Sequence, residues 1–126
     1  MHKPALNINM EYSYDLSQLI QLSHGSKDFV ANMLEIFIKS AGEIMAQLKG
    51  ALVVDDWNKV SELSHKAIPS FHFMGLINFS DELRYIEQNA KKEIEHARIH
   101  ELIGFIDKNM VVILKDLKEE AEKYKT

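Results

Sequence analysis

The feature that most limits this chain is the spacing of its apolar residues, which return every three or four positions for nearly its whole length. Val30, Met33, Leu34, Phe37, Ala41, Ile44, Met45, Leu48 and Leu52 draw one long stripe. Trp57, Val60, Ser64, Ala67, Phe71 and Met74 draw a second, and Phe79, Leu83, Ile86 and Ala90 a third. Ile99, Leu102, Ile103, Ile106, Met110, Ile113, Leu114 and Leu117 draw a fourth. No stretch alternates strictly between apolar and polar, and 5 glycines and 2 prolines in 126 residues leave little material for the turns of a sheet protein. The class is therefore all-α. Four long amphipathic helices with short joints form an antiparallel four-helix bundle, because short loops make neighbours run in opposite directions.

The boundaries carry their own signals. Asp15 is placed to cap a short helix over 16–22, which His24-Gly25 ends, and this extra N-terminal helix is expected to cover one end of the bundle. Ser26 caps the second helix, with Asp28 in its first turn, and Asp55-Asp56 opens the third. Gly75 closes or bends the third helix, and Lys91-Lys92 precede the fifth. Residues 1–14 read as a flexible N-terminal segment and 15–126 as one helical domain, whose charged tail over 118–126 is expected to fray. Met1 is read as the start of a free-standing protein.

Composition closes several functional classes. A net charge of −4 offers no basic footprint for nucleic acid. The absence of cysteine removes disulfides, thiolate metal sites and cysteine nucleophiles together. The longest pure apolar run covers only 110–114, too short for a membrane span or a signal core. The expected address is the cytoplasm, and the expected state a monomer.

Six histidines are the remaining chemistry, and the third helix separates them. With Trp57 at zero and about 100° per residue, the apolar set centres near roughly 300° and His65 falls at about 80°, towards solvent. Ser61 and His72 share the stripe of His65, and Ile68 sits between that stripe and the core. Ile68, Pro69 and Phe73 are apolar groups on the flank or outside of a helix whose inward stripe is already full, which suggests a docking patch. Pro69 is also costly inside a helix, by about 3 kcal/mol, since it removes the bond that its nitrogen would give to the carbonyl of His65. A site with a purpose other than stability tolerates that cost.

Asp56-Trp57, then Ser64-His65-Lys66-Ala67, then Met74-Gly75 resemble the signature of histidine-containing phosphotransfer (HPt) domains. That signature reads His-x-Leu-Lys-Gly-Ser-Ser, with a Leu-Gly pair nine and ten residues after the histidine. Met74-Gly75 stands at this spacing and Ser70 matches the first serine. Asp15-Leu16-Ser17 resembles the family's opening, 29–48 its second helix, and Phe79-Ser80, Leu83 and Ile86-Glu87 its fourth. The likeness covers about 15–92, and the last helix agrees only in periodicity. Two positions depart from the pattern: Ile68 stands where the family has lysine, and Pro69 where it has glycine.

The resemblance implies a carrier of phosphoryl groups, with His65 as the phosphoacceptor. Lys66, Ser70 and His72 become candidates for supporting the phosphate, Lys66 and His72 as substitutes for the missing lysine. Ser61, Ile68, Pro69 and Phe73 become candidates for docking a receiver. The implied partners are response-regulator receiver domains and a hybrid sensor histidine kinase. No cofactor is expected on this chain, with Mg expected on the partner receiver. The chain has neither common phosphate-cradling glycine loop, so a stoichiometric carrier is expected rather than a kinase.

Two other readings compete. One is an HPt-like helical interaction module that binds partners without carrying phosphate, for which Ile68 and Pro69 argue. The other is a di-metal bundle, suggested by Glu62-x-x-His65 and Glu93-x-x-His96, with His100 one turn beyond His96. Helical phase opposes the metal reading, because Glu62 and His65 point away from the bundle core. No metal ligand is therefore assigned.

Overall fold

The computed structural model describes residues 13–125, so the first twelve positions of the expected flexible segment lie outside the described residues. Five helices follow in order: α1 (Ser17–Ser23), α2 (Lys27–Val53), α3 (Trp57–Phe73), α4 (Ile77–Lys91) and α5 (His96–Lys123), with no strand among the described residues. The predicted Ser26 and Asp56 caps form, whereas the cap position of α1 is Leu16, which makes no side-chain cap bond, and Asp15 lies one residue further out. Ser26 Oγ accepts from the Phe29 amide at 3.1 Å, and Asp56 Oδ1 from the Lys59 amide at 3.1 Å. Asp15 Oδ1 takes the amide and hydroxyl of Ser17, at 2.9 and 2.6 Å.

Each predicted stripe faces inward. Leu34, Leu48, Val60, Phe71, Phe79, Leu83, Ile86, Ile99, Ile106, Ile113 and Leu117 are buried, while Met33 and Leu114 lie at the edge. Burial of one such Leu, Ile or Phe side chain is worth about 1.5–3 kcal/mol, several times the spread of helix propensities, so the stripes set the arrangement. The four long helices pack in a ring, α2 on α3, α3 on α4, α4 on α5 and α5 back on α2, with α1 against α2. At the mouth of the α2–α3 joint, the Trp57 indole lies under the ring of His96, stacked at 4.0 Å and 7°, with His100 edge-on at 5.8 Å. This stack fastens the start of α5 to the start of α3.

Two boundaries differ from the sequence reading. Tyr14 belongs to the core rather than to the leading segment: its ring is buried and its hydroxyl donates to Asp116 of α5. The charged tail continues as helix to Lys123, because Ala121 extends the inward stripe by one more turn and is buried.

The α3–α4 joint positions everything that follows. Met74 and Leu76 are buried, Leu76 N donates to Phe71 O at 2.9 Å, and Gly75 between them has φ +78°. The chain leading into α1 crosses directly over this turn, with Asp15 N donating to Met74 O at 3.0 Å.

Candidate functional site

His65 lies in the middle of α3, with its side chain 73% exposed. The phase that turns it outward comes from the inward positions Val60, Ser64, Ala67 and Phe71, all buried. Across the α3–α4 groove, Nδ1 of His65 is 2.9 Å from Oε2 of Glu87. A carboxylate only accepts, so in the neutral ring this contact places the proton on Nδ1 and leaves the lone pair on Nε2. Ser61, one turn earlier on α3, donates its hydroxyl to the backbone oxygen of Glu87 at 2.9 Å. The two bonds fix the carboxylate's own stretch of α4 against the helix that carries the imidazole.

An open hollow of about 530 Å³ surrounds the ring, lined by Asn58, Ser61, Glu62, His65, Glu87 and Lys91. Of the candidates from sequence, only Ser61 shares it with His65. Ser61 is buried rather than presented, because α4 packs over that edge of α3. Lys66 is exposed but sits about 100° further round the helix. Ser70 faces α2, its hydroxyl bonded to Ala67 O at 3.1 Å, and lines a separate narrow hollow of about 110 Å³ with Ile36, Phe37 and Phe73. His72 is exposed, and Ile68 and Phe73 are half-buried against the core. Pro69 is exposed within α3, which stays helical through it. The structure therefore gathers acids and one amine around His65 and leaves the expected phosphate-supporting residues outside the hollow.

Glu87 and Lys91 were not singled out from sequence as site residues. They follow the inward residues Ile86 and Ala90 by one position each, but nothing along the chain states which helix their face meets. Ser64, next to His65 in sequence but on the inward face of α3, has a buried hydroxyl without a hydrogen-bond partner among the described residues. The metal reading gains no support, since no group of three or more His, Asp or Glu side chains among the described residues is placed to hold a metal ion. Glu62 stays on the outside of α3, and His96 is held on Trp57. No described helix is long and apolar enough to cross a membrane.

No family model and no curated protein matches the chain. Among solved structures it is similar to the crystal structure of histidine-containing phosphotransfer protein B from Pseudomonas aeruginosa PAO1. The identity is 20%, the TM-score 0.77, and the alignment covers 88% of this chain and 96% of that one. At that identity the likeness speaks for architecture: the chain has the five-helix fold of a histidine-containing phosphotransfer protein.

Proposed function

We propose that this protein is a phosphorelay carrier that holds a phosphoryl group on Nε2 of His65. The observation that carries the reading is the exposed imidazole whose other nitrogen is engaged by Glu87, on a fold shared with a phosphotransfer protein. The donor is an aspartyl phosphate on a response-regulator receiver domain. The Nε2 lone pair attacks phosphorus, the bond from phosphorus to the aspartyl oxygen breaks, and its electron pair leaves with the carboxylate. The imidazole keeps its Nδ1 proton and becomes cationic as the P–N bond forms. Glu87 faces that proton and stabilises the charge as it develops. The reverse transfer passes the group to another receiver or returns it to a hybrid sensor histidine kinase.

Phosphoryl transfer depends chiefly on positioning and charge, so a carrier needs little machinery of its own. The receiver supplies a magnesium ion, and this chain supplies a nucleophile fixed in angle. Ile68, Pro69 and Phe73 flank His65 on the same helix and form the apolar part of the docking surface. The protein acts stoichiometrically in the cytoplasm and does not use ATP.

The test is transfer from a phosphorylated receiver domain to the full chain, read as acid-labile phosphate. Wild type gains the label and His65→Gln does not. A receiver that binds both forms while neither becomes labelled would establish the interaction-module reading instead, the one favoured by Ile68 and Pro69.

A further inference from the structure

The charged side chains lining the hollow around His65 are two carboxylates and one amine. Glu62 and Glu87 both line it, and a phosphoryl group on Nε2 would bring about two further negative charges to the same space. Like charges at a few ångströms repel, so a phosphohistidine here needs a cation within reach. Ile68, in the third position after His65, is apolar and packed against the core. Arg84, one turn before Glu87 on α4, is paired with Asp81 at 3.0 Å. Lys91 is the amine that lines the hollow. It enters none of the ion pairs among the described residues, and its position one turn beyond Glu87 aims its stem along the groove rather than away from it.

We propose that Lys91 is the cation that balances the phosphoryl group on His65, reaching it across the α3–α4 groove from the last turn of α4. The assignment rests on the reading of His65 as phosphoacceptor. It moves the balancing charge from the helix of the histidine to the neighbouring helix. The ammonium faces the phosphoryl oxygens while Glu87 faces the ring proton, so the two ends of the forming phosphoimidazolium meet opposite charges. Its position in the last turn of α4 also suits the helix dipole, and that alternative is separable.

The experiment uses the full chain and phosphoramidate, a small donor that brings no receiver residues to the site. Nε2 attacks its phosphorus, the P–N bond of the donor breaks, and ammonia leaves with the electron pair. Phosphohistidine formation is followed by intact mass and by its phosphorus resonance. Lys91→Gln is expected to slow formation roughly threefold to tenfold, the effect of one partly exposed charge, and to move the phosphorus resonance. Lys91→Arg is expected to restore both, and Lys92→Gln, outside the hollow, to behave as wild type. A merely structural role would lower thermal stability without touching the resonance. Wild-type rate and resonance in Lys91→Gln overturn the assignment, as does a loss on Lys66→Gln in its place. A wild-type chain that takes no phosphoryl group from phosphoramidate also overturns it, while the carrier reading stands or falls on the receiver assay.

Discussion

Nδ1 of His65 and Oε2 of Glu87 stand 2.9 Å apart, joining the middle of α3 to α4 and leaving Nε2 outside the contact. Glu87→Gln keeps the length and an acceptor oxygen but removes the charge that the proposed phosphocarrier chemistry assigns to stabilising the ring cation. Phosphoryl uptake by His65 should slow by about tenfold, equivalent to about 1.4 kcal/mol in the barrier. Initial rates with a phosphorylated receiver check this, and an unchanged rate would remove Glu87 from the chemistry.

Pro69 leaves the carbonyl of His65 without its helical partner. Pro69→Ala restores an amide at that position and should stabilise the bundle by about 1–3 kcal/mol. Thermal unfolding would show a melting temperature higher by several degrees. A lower melting temperature would mean that the proline's ring supports the fold.

Gly75 makes the α3–α4 turn possible. A Cβ there would lie 2.6 Å from Asp15 Cβ and 2.7 Å from Asp15 O, on a residue whose φ is +78°. Gly75→Ala should therefore cost about 2–4 kcal/mol, from strain at the backbone and displacement of the chain entering α1. Urea denaturation measures it, and a midpoint equal to wild type would contradict this account of the turn.

Burial first, and the hydrogen bond to Asp116 second, push the Tyr14 phenol well above its ordinary value near 10. The folded value exceeds the unfolded one. The contribution of the neutral phenol is therefore complete below about pH 10 and is lost as pH rises beyond it. Tyr14→Phe should lower stability by about 1–2 kcal/mol at neutral pH and make the alkaline decline shallower. Equal alkaline slopes in the two proteins would show that Tyr14 does not drive it.

The fold was legible because burial writes itself into sequence as a period: the four stripes, the Ser26 and Asp56 caps and the exposure of His65 all follow from it. Where the sequence reading stopped short, the signal was masked or long-range. Ala121 continues the α5 stripe, but the charges around it made the segment read as solvent-facing. Tyr14 lies upstream of the cap that marked the first helix, and its partner Asp116 is over a hundred residues away. The site divides in the same way. Helical phase gives the direction of His65 on its own helix, whereas the approach of Glu87 and Lys91 depends on how α4 is rotated against α3. The stacking of His96 on Trp57 has the same long-range origin, although both His96 and His100 remain exposed.

The central claim is that one nitrogen of one side chain carries the phosphoryl group. After transfer from a phosphorylated receiver, phosphorus–proton correlation on the intact protein should place the phosphate on Nε2 of His65. A phosphoryl group on Nδ1, on any other residue, or on none would contradict it.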